Sequence, residues 1–263
     1  MSLAKSLIDA FLDSDGKPIS QSATYDESEG WLTEFNNRDP RLSATTSAPT
    51  SILIDTFPPI PDSEISGWGI AVSGYLLEKH WEFNETEFNL AEKAAYDAIE
   101  YRYGEILLIY AEAAAELGIV DQAMIDKSIN QLRDRVGLPH MVIADLVKDV
   151  DSDFPGLDVV TDEIRRERRV ELACEGFRYN DLMRWKAGSV LVKAYKGMLF
   201  NPTMYPNIDL ATASLTLDID GYIWPYAVTY PSGRVFDEGK HYLFPIPTEE
   251  LVMNENLVQN PGW

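Results

Sequence analysis

The segment Tyr101-Arg102-Tyr103-Gly104-Glu105-Ile106-Leu107-Leu108-Ile109-Tyr110-Ala111-Glu112-Ala113 runs on through Ala114, Ala115, Glu116 and Leu117 to Gly118. Ile106, Leu107, Ile109, Tyr110, Ala113, Ala114 and Leu117 recur with the period of an α-helix, and Gly118 fits the left-handed residue that closes one. The alanines at 111, 113, 114 and 115 leave room for another helix to approach closely. Just beyond, Asp121 fits an N-cap for a second apolar face of Ala123, Met124, Ile129, Leu132 and Val136, which Gly137 and Pro139 end. So short a link between two helices predicts an antiparallel hairpin.

Downstream the pattern repeats. Thr161, with Asp162 and Glu163, opens a third helix carrying Ile164, Val170, Leu172 and Cys174; Gly176 interrupts it before a fourth with Leu182, Met183 and Trp185. Two such hairpins predict a mainly α fold of stacked helix pairs. Upstream, residues 85–104 read as a polar helical lead-in to a helical core over 85–188. Residues 17–69 are rich in Pro, Ser, Thr and Asp, and Pro40, Pro49, Pro58, Pro59 and Pro61 exclude long helices there. The same stretch carries Tyr25, Trp31, Phe35, Phe57 and Trp68, too many large aromatics for a disordered linker, so it reads as an ordered, irregular surface segment. Residues 5–12 form a short apolar-periodic stretch that Asp13-Ser14-Asp15-Gly16-Lys17-Pro18 stops. Residues 189–263 turn irregular again, with a turn at Asp218-Ile219-Asp220-Gly221 and a β-like stretch at His241-Tyr242-Leu243-Phe244 before Pro245.

Composition narrows the partners. With 43 acidic against 22 basic residues the net charge is −21, a field that disfavours nucleic-acid phosphates and anionic lipid head groups, whereas a neutral ligand meets no such penalty. Cys174 is the only cysteine, so neither an intramolecular disulfide nor a thiolate metal cage is available, and its place in a helical pattern reads as a small buried side chain. The chain opens Met1-Ser2-Leu3 with no signal segment or lipobox cysteine, and no apolar run reaches the ~18–20 residues that span a bilayer, so as it stands it is expected to be soluble.

Four segments, in order, carry a family resemblance. They are Asp9-Ala10-Phe11 through Asp15-Gly16-Lys17-Pro18-Ile19 with Asn37-Arg38-Asp39-Pro40-Arg41; the stretch from Tyr101 to Ala113; Glu167-Arg168-Arg169, Glu171-Leu172, Glu175-Gly176-Phe177-Arg178 and Asp181-Leu182-Met183-Arg184-Trp185; and Tyr242-Leu243-Phe244-Pro245-Ile246-Pro247 with Gln259-Asn260-Pro261-Gly262-Trp263. Together they span nearly the whole chain, as a single domain over 1–263, and resemble the carboxy-terminal half of SusD/RagB-like proteins. The resemblance implies tetratricopeptide-like helix pairs with long irregular loops and a few short β-strands. It also implies a lipoprotein of polysaccharide utilisation and nutrient uptake at the bacterial outer-membrane surface, which binds glycan without catalysis beside a SusC-like TonB-dependent transporter. Family members are roughly twice this long, and the part holding the lipidated cysteine and the first helix pairs is not represented, so contact with the membrane would run only through an anchor outside this chain.

The chemistry of the residues agrees with a binder more than an enzyme. Among so many carboxylates no acid/base pair for glycoside hydrolysis stands out. Asp149, Asp151 and Asp153 alternate as in a calcium loop, but Phe154 and Val160 replace its glycine and its terminal glutamate. His80, His140 and His241 lack metal-ligand spacing, and Gly67-Trp68-Gly69 is too short for a nucleotide loop, so no metal or cofactor is expected. Arg165, Arg166, Arg168 and Arg169 read as a structural set paired with Glu167, Glu171, Glu175 and Asp181, with Arg168 and Glu171 as an i,i+3 pair; Arg38, Asp39 and Arg41 read the same way. What remains is aromatic: flat side chains cover the C–H face of a sugar ring while amides and carboxylates bind its hydroxyls. Trp31 and Trp68 lead as glycan-binding candidates, followed by Tyr25, Phe57 and Tyr75; Trp185 and Trp263 are assigned to packing, and Trp224, Tyr226 and Tyr230 form a second aromatic loop. The competing readings are a helical-repeat scaffold for protein partners and a glycosidase.

Overall fold

The computed structural model describes residues 2–30, 33–48, 72–80, 99–203 and 215–263. The chain forms two compact units: residues 1–174 with 195–225, and residues 175–194 with 226–263.

The first unit is built on the predicted hairpin. Helix α3 spans Tyr103–Glu116; before it, among the described residues, come two short helices, α1 at Lys5–Ile8 and α2 at Pro40–Thr45. Its end is a Schellman turn: Gly118, at φ +69°, donates to the Ala115 carbonyl and Ile119 to that of Ala114. The Asp121 carboxylate then accepts the Met124 N–H at 2.8 Å and starts α4, Gln122–Asp126. The expected single helix breaks at Ser128, whose buried hydroxyl turns back onto the Met124 carbonyl at 2.7 Å, so α5 begins anew at Ile129 and runs to Val136. Gly137, left-handed at φ +71°, ends it as predicted.

Helix α6, Val159–Glu171, starts ahead of the expected Thr161 because Asp158 takes the cap, accepting the N–H groups of Val160 and Thr161. It packs along α3. The helix stops at Glu171, which leaves Cys174 in a left-handed turn at φ 63° and exposed, not buried as its place in the pattern predicts. Leu3, Ile8, Phe11, Leu42, Tyr75, Val170, Met198, Phe200 and Ile223 form the core. Irregular segments reach that core through antiparallel bridges of single residue pairs, Ser2 with Leu76, Thr46 with Leu77, and Leu199 with Tyr222. The turn at 218–221 forms as predicted, with the Gly221 N–H on the Asp218 carbonyl and Leu217 bridged to Ile223. Gly197 is required where it stands: a Cβ there would lie 2.4 Å from the Ser73 carbonyl oxygen.

The second unit holds α7 at Phe177–Arg184, α8 at Ser189–Val192 and α9 at Thr248–Met253. Phe236 packs edge-on to Tyr242 and His241, and the Tyr242 hydroxyl accepts the Gly188 N–H. The expected β-like stretch at 241–244 is a turn instead, because the Asp237 carbonyl accepts the N–H groups of both Lys240 and His241. The segment following it is held by side chains: Gln259 pairs with both backbone groups of Ile246, and the Trp263 indole donates to the Leu243 carbonyl. Trp263 nevertheless stays half exposed, with Lys240 4.0 Å from its ring centroid. Among the described residues no helix is long and apolar enough to cross a membrane.

Candidate functional site

Two buried polar clusters organise the first unit, and the arginine-rich motifs belong to one of them. Glu167, with no exposed surface, receives Arg41 at 2.6 Å, Arg166 at 2.8 Å and Arg133 at 3.2 Å. One turn on, Glu171 receives Arg102 at 2.6 Å, Arg135 at 2.9 Å and again Arg41 at 3.0 Å. Burial opposes charge on both glutamates, yet the surrounding guanidinium groups outweigh it and hold both carboxylates below the ordinary range. Arg41 is fixed in turn by Asp39, its helix-capping neighbour, at 2.7 Å. The expected pairing of Arg168 with Glu171 gives way to this set, and Arg168 faces Glu112 at 3.8 Å instead. Arg38 acts on the backbone, donating to the carbonyls of Ile8, Phe11 and Glu34 at 2.7–2.9 Å. Arg41 staples the irregular segment to the helix bearing Glu167 and Glu171, and Arg38 ties it to the backbone of α1 and the residues just after it.

The second cluster surrounds Lys5. Its ammonium contacts Asp9, Glu27 at 3.0 Å and Glu34 at 3.2 Å, and donates to the Tyr25 oxygen at 3.2 Å. Tyr25 and Tyr75 both donate to Glu34, at 3.2 and 2.7 Å, and Tyr222 donates to Glu27 at 2.6 Å. Burial would lower the Lys5 pKa, but Glu34, Asp9 and Glu27 raise it well above its ordinary value. Burial raises Asp9 despite Lys5, and burial together with Glu34 or Glu27 keeps the three phenols protonated. Each of the three hydroxyls is thus a donor already in use, and the amine is held as a cation.

The predicted glycan contacts fall unevenly on this geometry. Trp31, Phe57 and Trp68 lie outside the described residues. Tyr25 is half-buried on the Lys5 cluster, with the Arg38 guanidinium 5.3 Å from its ring centroid. Tyr75 is fully buried, its ring in the core and its hydroxyl on Glu34. Thus Tyr25 and Tyr75 are brought together through one carboxylate, while only Tyr25 has a surface to offer. Sequence reasoning passed over Lys5, Asp9, Glu27, Glu34 and Tyr222; the i,i+4 pair of Lys5 and Asp9 within an apolar stretch was the available signal. The alternating aspartates are drawn apart, Asp153 to Arg169 at 3.1 Å and Asp149 to Ser20 at 2.7 Å. Among the described residues no three His, Cys, Asp or Glu side chains come together to hold a metal ion.

Compared with known families, residues 1–263 match the model of the SusD family. The chain belongs to the SusD family. This SusD-family chain is 27% identical to SusD-like protein P2 of Formosa agariphila over 264 residues, covering 93% of the chain and 43% of that protein. It is 32% identical to SusD-like protein P38 of the same organism over 108 residues, 41% of the chain and 21% of that protein. A SusD-like protein of Bacteroides fragilis has the same mainly helical fold of tetratricopeptide-like pairs, with a TM-score of 0.66 at 25% identity over 100% of the chain and 47% of that structure. The chain therefore spans under half the length of these relatives.

Proposed function

We propose that this SusD-family chain takes part in non-catalytic capture of an oligo- or polysaccharide at the bacterial outer-membrane surface and in its delivery to a SusC-like TonB-dependent transporter. The observation that carries the reading is the SusD-family match over residues 1–263. The acidic composition is compatible with a neutral glycan, and Glu34 and Glu167 of the polar clusters are engaged by Lys5 and Arg41. Trp31, Trp68 and Phe57 are the proposed stacking residues. Tyr25 lies at the partly open edge of the same irregular segment, and Tyr75 supports it from the core by fixing Glu34.

Intrinsic tryptophan fluorescence, titrated with a panel of neutral polysaccharides and their oligomers, tests the proposal. Saturable quenching that Trp31→Ala or Trp68→Ala abolishes, with unchanged circular dichroism and no release of reducing ends, is the expected result. A folded chain that responds to no member of the panel would remove glycan capture from this chain, and product release would make it a hydrolase.

A further inference from the structure

One turn of the second unit is held by a histidine side chain. The Asp237 carbonyl accepts the N–H groups of Lys240 and His241, and the Asp237 N–H donates in return to Nδ1 of His241 at 2.8 Å. A backbone N–H can donate there only to a lone pair, so the ring is neutral in this geometry and carries its proton on Nε2. The imidazole also sits among aromatic rings. Phe236 meets it edge-on at 5.5 Å between ring centroids, and Trp263 lies against it at 5.8 Å. Phe236 fills the space over Gly188, where a Cβ would come within 2.0 Å of the ring, and the Trp263 indole donates to the Leu243 carbonyl at 3.0 Å. One titratable ring thus joins the turn to the residue before α8 and to the segment ending at Trp263.

We propose that the 237–241 turn is a pH-sensitive clasp, closed by neutral His241 and opened when Nδ1 takes up a proton, with release of the Phe236 and Trp263 rings. Protonation turns the acceptor into a second donor, so Nδ1–H and the Asp237 N–H would point at each other and the bond between them is lost. Neither nearby carboxylate is bonded to the ring. That of Asp237 accepts the Gly239 N–H at 2.9 Å, and that of Glu238 lies 3.4 Å from the Tyr242 hydroxyl, which also accepts the Gly188 N–H. On the cationic side Lys240 stands 4.0 Å from the Trp263 ring centroid and Lys186 4.3 Å from that of Tyr242. These anions and cations oppose one another, so the hydrogen bond at Nδ1 decides the direction: closed when the imidazole is neutral, open in acid. Imidazole is the ordinary side chain that changes charge between about pH 5 and 8, which sets the range over which the clasp works.

The test is amide hydrogen exchange over residues 236–243 of the 263-residue chain at about pH 8 and about pH 5. It is read by mass spectrometry on the millisecond-to-second scale and corrected for the pH dependence of free amides. The net worth of one hydrogen bond corresponds to about a two- to tenfold change in protection. A fall of that size on acidification is expected, with peptides from α3 unchanged. His241→Asn places a carboxamide oxygen near the position of Nδ1 and does not titrate, so the acid-induced fall should vanish in it. The pair His80→Gln and His140→Gln should keep the fall, which ties it to His241. A His241→Asn chain that is open at both pH values also supports the clasp, because the Nδ1 acceptor is then what closes it. Equal protection of the parent at both pH values, a fall that His241→Asn retains, or a fall shared by α3 would overturn the inference.

Discussion

Glu167→Gln tests the account of the arginine network most directly. The substitution keeps shape and volume but removes the charge on which Arg41, Arg133 and Arg166 converge at 2.6–3.2 Å in a site with no solvent exposure. Removing one member of a buried, hydrogen-bonded ion set costs about 3–5 kcal/mol, because the remaining charges are stranded away from water. That is a large share of the roughly 5–15 kcal/mol by which domains are stable. In equilibrium urea unfolding followed by far-ultraviolet circular dichroism, the midpoint should fall by about 1–2.5 M for an m-value near 2–3 kcal/mol/M. The loss also has a pH signature. The folded-state pKa of Glu167 lies below its unfolded value of 4.5, so its contribution is complete above that value and is lost as pH falls from there toward the folded pKa. The gap between parent and variant should therefore be constant from pH 6 to 8 and shrink below about pH 4.5. A midpoint change equivalent to under about 1 kcal/mol at pH 7 would refute the claim that this carboxylate is a structural anchor.

Arg38→Ala should lower the thermal midpoint by roughly 5–12 °C in a calorimetric scan, since it strips the carbonyls of Ile8, Phe11 and Glu34 of their donor. Arg38→Lys should recover little of that loss, because an ammonium cannot fork to three acceptors fixed in this geometry. Asp9 behaves oppositely to Glu167 with pH: its folded pKa is raised above 3.8, so its contribution is present below that value and lost as pH rises through the folded pKa. The stability of Asp9→Asn relative to the parent should accordingly improve between pH 4 and 7, and a flat difference in urea midpoints over that range would contradict the raised pKa of Asp9. Cys174, exposed in its left-handed turn, should react with a thiol reagent in the native protein at a rate close to that in denaturant. Protection by orders of magnitude would return it to the helix interior.

The parts of the fold legible in the sequence are those fixed within a few residues. Gly118 and Gly137 end their helices, Asp121 caps α4, and Asp218 to Gly221 make their turn, because backbone conformation and short-range hydrogen bonds decide each one. Where two local signals compete the reading slips: Asp158 and Thr161 are both able caps, and Ser128 breaks a helix that apolar spacing alone would continue. Tertiary placement is harder still. Glu171 has an arginine three residues before it, yet its partners are Arg41, Arg102 and Arg135, which no local rule selects. The same holds for Tyr75, which in sequence is one more aromatic beside an irregular segment and in the fold is core. Within α3, the period-based face mixed inward and outward residues, since a helix that is apolar on both sides leaves periodicity little contrast to read.

The arginine network also sets a clock on biosynthesis. Arg41 and Glu171 are 130 residues apart, so at translation rates of ~5–20 residues per second Arg41 is made some 6–26 s before the carboxylate that will neutralise it. During that interval the segment bearing Arg41 holds a cation suited to a buried site, with Asp39 as the one ion-pair partner already made among the described residues. Its native docking must therefore await the helix bearing Glu167 and Glu171, so this unit cannot be completed until the chain has been made through that helix.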